Sequence, residues 1–451
     1  MQYRKRIVDK QFNVRMDALG AVLIKGPKGC GKTTTAKQKA KSIIEFQDED
    51  IRENLLTIAN TYPSDLLKSE KPILFDEWQD APKLWGAIRK DVDDSGLSGQ
   101  YILTGSSSAK TETAHTGTLR ISTMKMYPMS LYESGDSNGN VSLKDLFDNQ
   151  NTFKICESKL NIDDLKFVLC RGGWPRSINV NSRDAKLYIA KDLFNQTCDR
   201  DISRVDDTKR NPEWARTILK SYSKNICTTA DTKTVFVDVE SSTGMSIQTF
   251  YDYVEALQKL YIIEDVDAWC PSIRSKTVIR ASKKKNLIDP SIAVAALGIS
   301  PEYFNLDYKT FGFLFESLVI RDLKIYSSEQ NGRVSYYRDR YGLEADAVLH
   351  LEDGRYALIE IKLGENDVEE GAKHLLKIES LIKEHNKIEK QVPLRLPDLK
   401  IVITGTKYGY KREDGVLVIP IGSLKDWKQI IISENAGKLL LVKYINHAKT
   451  L

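Results

Sequence analysis

The octapeptide Gly26-Pro-Lys-Gly-Cys-Gly31-Lys32-Thr33 constrains this chain more than any other feature. It follows the apolar run Ala21-Val-Leu-Ile24 and precedes a helix-compatible stretch from Thr34 to Ile44, so a Gly-x-x-x-x-Gly-Lys-Thr spacing falls between strand and helix. Glycines are needed because successive backbone N–H groups must turn inward around phosphate oxygens, while the helix N-terminus adds partial positive charge. Gly26, Pro27, Lys28, Gly29, Cys30, Gly31, Lys32, Thr33 and Thr34 are therefore the candidate residues for holding a nucleotide, read here as ATP. Lys32 is expected to reach the β- and γ-phosphates, and Thr33 to ligate Mg2+.

Further along, Pro72-Ile-Leu-Phe-Asp76-Glu77 ends an apolar run in two carboxylates. Beside a phosphate-binding loop, such an Asp holds Mg2+ and an adjacent Glu orients the attacking water. Solvated acids capping a strand are the alternative. A third apolar run ends in Thr104-Gly-Ser106, which would place a hydroxyl or an amide between the two carboxylates and the γ-phosphate, Thr104 being the candidate.

At 451 residues, and with about 150 per domain as a prior, the chain suggests three domains or two with one large. Its 41% apolar and 29% charged residues, with only 26 Gly and 13 Pro, exclude collagen-like or largely disordered architecture. A net charge of +5 means that any basic surface must be local. The six cysteines form no Cys-x-x-Cys pair and the five histidines no His-Glu-x-x-His group, so neither zinc nor a disulfide framework is expected. The first apolar run, Ala18 to Ile24, is too short for a signal peptide or a membrane span. The expected setting is a reducing cytoplasm, with no membrane partner.

Three regions separate by pattern, giving an α/β fold class with a P-loop NTPase parallel sheet (1–135), a helical region with a winged helix (136–305) and a small α/β domain (306–451). Short apolar runs at Ala21–Ile24, Ile73–Phe75 and Tyr101–Leu103 alternate with helical stretches in the first. In the second, Ile247, Phe250, Tyr251, Val254 and Leu257 mark one helix face ahead of a strand at Tyr261–Ile263. A helix over Phe311–Ile325, two strands around Glu352-Asp-Gly354, a charged helix over Val368–His385 and a strand over Lys400–Thr404 make up the third.

Gly26 to Thr33, Phe75-Asp-Glu-Trp-Gln79, Leu84-Trp85 and Ile102-Leu-Thr-Gly-Ser106 together resemble the prokaryotic AAA+-type ATPases that carry a C-terminal DUF4143 region. The resemblance continues through Tyr127-Pro-Met-Ser-Leu131, Gly172-Gly-Trp-Pro175 and Glu316, and so covers most of the chain. It implies ATP hydrolysis, with an Arg ahead of the Tyr-Pro-x-Ser-Leu segment as a charge stabiliser, which falls here on Arg120. A surface Arg–carboxylate pair is the other reading of that residue.

Near the end, Glu344-Ala-Asp346 to Leu351 and Arg355 to Glu360-Ile-Lys362 flank a three-residue turn with Gly354 at the position that tolerates φ > 0. If Leu351 pairs with Arg355, Asp346 lies opposite Glu360, and the period of two sends Lys362 to the face of Glu360. Two acids and a lysine so placed bind a divalent cation and polarise a phosphate or water, and Glu316 on the preceding helix supplies another ligand. This Asp…Glu-x-Lys pattern resembles the PD-(D/E)xK nuclease superfamily. An ordinary charged ladder is the alternative.

Six basic residues and no acid lie between Cys270 and Lys285: Arg274, Lys276, Arg280, Lys283, Lys284 and Lys285. They are read either as phosphate contacts to DNA or as a solvated loop. The resulting expectation is a cytoplasmic Mg2+-dependent ATPase acting on DNA through a nuclease-like end, with a homo-oligomer or partner protein as further company. A nucleotide-gated switch that grips DNA or protein without cutting is the alternative.

Overall fold

The computed structural model describes residues 3–105, 117–153, 155–271, 281–388 and 393–426. Its first part alternates helix and strand: α1 (Val8–Ala18), β1 (Ala21–Lys25), α2 (Lys32–Lys37), β2 (Ser42–Glu45), α3 (Arg52–Thr61), β3 (Ile73–Asp76), α4 (Leu84–Ser95), β4 (Tyr101–Gly105) and β5 (Ile121–Lys125). The strands form one parallel sheet in the order β2-β3-β4-β1-β5. Val22 and Ile24 pack on one face and Ala21 and Leu23 on the other, which is why β1 reads as an unbroken apolar run rather than an alternating one. Because the chain leaves β1 between β4 and β5, the loop after it sits at the carboxyl edge where the strand order switches, a natural crevice for a ligand.

The helix expected over Thr34–Ile44 stops at Lys37, and Ser42–Glu45 is a strand. Parallel pairing of Ser42 to Glu45 with Ile73 to Asp76 overrides the helical pattern, and the β-branched pair Ile43-Ile44 suits that ladder.

The chain continues through α5 (Leu131–Ser134), β6 (Val141–Ser142), α6 (Leu143–Asp148) and β7 (Cys156–Glu157) into a run of helices. These are α7 (Ile162–Arg171), α8 (Pro175–Asn179), α9 (Arg183–Gln196), a π-turn (Thr197–Asp201), α10 (Ile202–Arg204), α11 (Pro212–Lys224), α12 (Thr232–Thr243), α13 (Ile247–Lys259) and α14 (Pro290–Leu297). Phe250, Val254 and Leu257 of α13 are buried as the periodicity requires, whereas Ile247 and Tyr251 are exposed. Instead of a strand over Tyr261–Ile263, the structure has isolated antiparallel bridges, Ile263 with Leu287 and Val266 with Lys284.

The last part comprises α15 (Tyr308–Tyr326), β8 (Arg333–Arg338), β9 (Glu344–His350), β10 (Tyr356–Lys362), α16 (Val368–Ile388), β11 (Leu399–Thr404), β12 (Tyr408–Lys411), β13 (Leu417–Pro420) and β14 (Leu424–Lys425). A mixed seven-stranded sheet runs β7-β12-β13-β11-β10-β9-β8, and β14 pairs separately with β6. Strands β6 and β7, early in the segment that pattern assigns to the middle region, thus hydrogen-bond into the C-terminal part.

Ionic joints tie the parts together. Glu264 accepts a hydrogen bond from the Tyr127 hydroxyl at 2.8 Å and pairs with Lys125 at 2.9 Å and Lys324 at 3.1 Å. Burial alone would raise its carboxyl, but the two ammonium groups pull it down to about 2. Among the described residues, no helix is long and apolar enough to cross a membrane.

Candidate functional site

The loop between β1 and α2 is shaped by backbone that only glycine tolerates. Gly26 has φ +155°, and a Cβ there would lie 2.2 Å from the Met126 carbonyl oxygen. Lys32 is buried, and its ammonium donates to the carbonyls of Gly26 at 3.0 Å and Pro27 at 2.9 Å. The lysine is therefore folded over its own loop. Cys30 is buried, Lys28 projects outward to pair with Asp201 at 3.1 Å, and Thr34 is exposed on α2.

Across the sheet, the Thr33 hydroxyl donates to Asp76 Oδ1 at 2.7 Å, and the Thr104 hydroxyl donates to the same oxygen. Strands β3 and β4 thus deliver Asp76 and Thr104 to the first turn of α2. A hydroxyl and a carboxylate in contact beside a buried lysine make an oxygen donor set that fits Mg2+. The neighbouring Glu77 has φ +54°, an uncommon conformation for a residue with a side chain. Its carboxylate accepts from Gln79 Nε2 at 2.5 Å. Ser106 lies outside the described residues.

A cleft of about 610 Å³ opens here, lined by Lys28, Glu77, Gln79, Asp201 and Arg204 among others. Its far wall comes from the π-turn and α10. Sequence reasoning missed three contributors. Arg6 is buried and donates to the carbonyls of Cys30 at 2.9 Å and Tyr127 at 2.8 Å, bracing the loop from behind. Gln79 fixes Glu77. Pro175 packs on the loop so closely that a Cβ on Gly31 would meet its Cγ at 3.4 Å, while Trp174 Nε1 donates to Ser291 Oγ at 2.9 Å. The Gly-Gly-Trp-Pro segment carried the signal for that contact.

Arg120 is not at this site. Strand β5 runs parallel to β1 with Ile121 beside Ala21, so Arg120 sits at the amino edge of the sheet, a strand length of roughly 15 Å from the loop. Its guanidinium pairs with Asp93 at 2.7 Å, an ordinary surface ion pair. Within one chain the charge-stabilising role implied for it is therefore not served.

In the C-terminal part, the Leu351 N–H donates to the Arg355 carbonyl at 2.8 Å, and Gly354 has φ +86°. The β9–β10 register from His350–Tyr356 to Ala347–Ile359, continued one step, brings Asp346 opposite Glu360. Glu360 is 1% exposed, with Lys362 Nζ 2.7 Å from its Oε2 and His374 Nδ1 3.5 Å from its Oε1. Oε2 is thus held against the Lys362 ammonium as an ion pair. Burial and then the Asp346 charge push the Glu360 carboxyl up to about 8, against the pull of Lys362. Helix α16 rides close above: a Cβ on Gly371 would lie 3.2 Å from Glu360 Cβ.

The expected metal ligands Glu316, Asp346 and Glu360 are not assembled into a cage. Among the described residues, no three or more His, Cys, Asp or Glu are grouped so as to hold a metal ion. Asp346 Oδ2 accepts from the Ile361 N–H at 2.8 Å, Glu360 faces Lys362, and Glu316 pairs with Lys284 at 2.7 Å. Glu316 and Glu360 are each paired with a lysine, and Asp346 is held by a backbone amide instead.

Of the basic run, Lys284 and Lys285 do not lie on a surface. Lys284 and Lys285 are buried, paired with Glu316 and Asp265 respectively, and Lys283 pairs with Asp267. Arg274, Lys276 and Arg280 lie outside the described residues. A run of like charges looks solvated in sequence because its counter-charges come from elsewhere in the chain.

The AAA domain family matches residues 19–135, the DUF4143 domain of unknown function residues 311–424, and the DUF8612 domain of unknown function residues 162–303. No curated protein matches. Among solved structures, the Walker-type ATPase PABY2304 of Pyrococcus abyssi aligns at 13% identity and a TM-score of 0.39, over 64% of this chain and 94% of that one. PH0952 of Pyrococcus horikoshii, a STAND (Signal Transduction ATPase with Numerous Domains) protein with a tetratricopeptide repeat sensor, aligns at 13% identity and a TM-score of 0.22, over 71% of this chain and 48% of that one. With the phosphate-binding loop set in a parallel sheet and these family matches, the chain carries an AAA-type ATPase domain followed by a DUF4143 region.

Proposed function

We propose that the chain is a Mg2+-dependent ATP phosphohydrolase whose cycle is coupled to DNA held or processed by its C-terminal part. The observation that carries the first half is the convergence of the Thr33 and Thr104 hydroxyls on Asp76 Oδ1 beside the buried Lys32. When ATP enters, the Lys32 ammonium exchanges the Gly26 and Pro27 carbonyls for phosphate oxygens, and the loop amides take the rest. Thr33 and Asp76 would hold Mg2+, which neutralises charge on the β- and γ-phosphates. Glu77, steadied by Gln79, accepts a hydrogen bond from the attacking water and aligns it with the γ-phosphorus. Thr104 keeps the Asp76 carboxylate from turning.

Measured ATP binding and phosphate release test this. Lys32→Ala should abolish binding, while Glu77→Gln should bind ATP as tightly as the parent and release phosphate at least about 100-fold more slowly. Wild-type turnover in Glu77→Gln would remove the assignment.

For the second half, the buried Glu360 carboxylate opposite Asp346 across β9 and β10, beside Lys362, supports a hard-cation site. Asp346 and Glu360 would hold the cation, with Glu316 nearby. Incubating linear DNA with Mn2+ and either the parent or Glu360→Gln tests it, with cleavage by the parent alone expected. The non-cutting switch is favoured by the partners that Glu316, Asp346 and Glu360 already have, and it expects intact DNA in both.

A further inference from the structure

The wall of the ATP cleft that faces Glu77 comes from a distant stretch of the chain. Leu193, Thr197, Asp201 and Arg204 line it at spacings of four, four and three residues, so they share one face of the run formed by α9, the π-turn and α10. Buried Ile202 and Val205 seat α10 in the core. Arg210 fixes its end, donating to the Ile202 carbonyl at 2.9 Å and gripping both Asp206 oxygens at 2.6 and 2.7 Å. The side chains on the cleft face thus stand on an anchored support.

The cations in the cleft are not equivalent. Lys28 pairs with Asp201 at 3.1 Å and Arg52 with Asp80 at 3.3 Å, so two are already held by acids. Arg204 also lines the cleft, is exposed, and among the described residues makes no ion pair. It is close to the phosphate-binding loop: Asp201, three residues earlier, touches that loop through Lys28, and side chains three apart on a helix are neighbours, about 5–6 Å between their Cβ atoms.

Which end of a nucleotide would meet it follows from the opposite wall. Glu77, Gln79 and Asp80 succeed β3 directly and line the same cleft, whereas the loop that holds the phosphate chain ends at α2. The cleft therefore opens at the γ-phosphate, beside the carboxylate that orients water. A guanidinium offers two parallel N–H donors, a match for two oxygens of one phosphoryl group.

We propose that Arg204 is a catalytic residue of the ATPase, supplied from within the same chain, whose guanidinium binds the γ-phosphoryl oxygens of ATP. The inference rests on the reading of this cleft as a site of ATP hydrolysis and names the side chain that neutralises the terminal phosphate there. The water oxygen bonds to the γ-phosphorus as the bond to the β–γ bridging oxygen breaks. The bridging oxygen and its electron pair leave with ADP, and the proton of the water passes by way of Glu77 to the released phosphate. Arg204 holds the γ-phosphoryl oxygens through that transfer. ADP lacks this group, so the contact distinguishes the two nucleotides.

The test compares the full-length parent with Arg204→Ala in phosphate release, and repeats the pair on a Glu77→Gln background for calorimetry, where ATP persists. Arg204→Ala should slow phosphate release at least about 100-fold. It should weaken ATP binding at least about fivefold and leave ADP binding within about twofold of the parent, a selectivity that a merely structural arginine would not alter. Parent-like turnover in Arg204→Ala, or equal weakening of ATP and ADP, overturns the proposal and leaves the ATPase reading standing. A parent that releases no phosphate removes both. Should Arg204→Ala not fold, Arg204→Lys keeps the charge and loses the fork, and should still slow release at least about tenfold; parent-like release from it overturns the proposal.

Discussion

Lys28 of the phosphate-binding loop and Asp201 at the end of the π-turn form a 3.1 Å ion pair across the mouth of the ATP cleft. The lysine is half exposed, so the pair itself contributes little to stability. Its effect is on binding: the carboxylate occupies a cation that would otherwise face phosphate and adds negative charge to the wall. Asp201→Asn should tighten ATP binding by about threefold in calorimetry, a shift of roughly 0.7 kcal/mol. Weaker binding would mean that Asp201 holds the loop in its receptive shape.

Thr104 offers a cleaner separation of binding from chemistry. Valine keeps the volume and removes only the hydroxyl that Asp76 receives. Loss of one hydrogen bond to a charged group is worth about 1.5–3 kcal/mol, so Thr104→Val should lower kcat by about 10- to 100-fold. Affinity for ATP should stay within about threefold, because the loop and Lys32 are untouched. Steady-state kinetics beside a binding isotherm checks both numbers.

Gly26→Ala tests the loop itself. The added methyl would lie 2.2 Å from the Met126 carbonyl oxygen in a backbone conformation that side chains rarely adopt. Nucleotide binding should fall by at least about tenfold, a cost of roughly 1.4 kcal/mol, as backbone strain of this kind requires. Circular dichroism should show the fold retained.

Stability should fall as the pH rises from about 4.5 to about 8. The Glu316 and Glu360 carboxyls both titrate near 8 in the folded chain, burial being the first cause in each. Unfolded, they titrate near their ordinary 4.5. The folded chain therefore binds these protons more tightly, and the stability they contribute is complete below about pH 4.5 and is lost as the pH climbs through 8. Each group steepens the decline by up to about 1.4 kcal/mol per pH unit. Urea unfolding between about pH 5 and 9 should show the decline as far as about pH 8 and its levelling off above, and Glu360→Gln should flatten it. A parent curve that is flat over this range would count against the burial of both acids.

The ATP site was largely legible because its chemistry is local in sequence. Gly26 to Thr33 is one loop, and Asp76 and Thr104 each end an apolar strand, so a strand–loop–helix pattern suffices to bring them together. Arg6 and Asp201 were not legible, since a basic terminus and an acid on a helical run carry no sign of what they will face. The hairpin around Gly354 was readable for the same local reason, down to the register opposite Asp346. What escaped was the partner of each charge. Lys284 lies 32 residues before Glu316, and only the folded sheet shows that an apparently solvated lysine is the counter-ion of the buried Glu316 and the half-buried Glu344. Helix α2 failed in a related way: Ile43 and Ile44 satisfy both a helical period and a strand, and β3 decides between them.

Strand β7 is two residues long, yet it is what covers the outer rim of β12 in the seven-stranded sheet. Excising everything before residue 306 would strip that cover, along with the β6 partner of β14, and leave backbone amides bare along a rim built to be shielded. Residues 141–157 are thus stitched to the C-terminal part by main-chain bonds. A fragment made by cutting at the pattern boundary should cling to its own kind rather than remain a lone, well-behaved module.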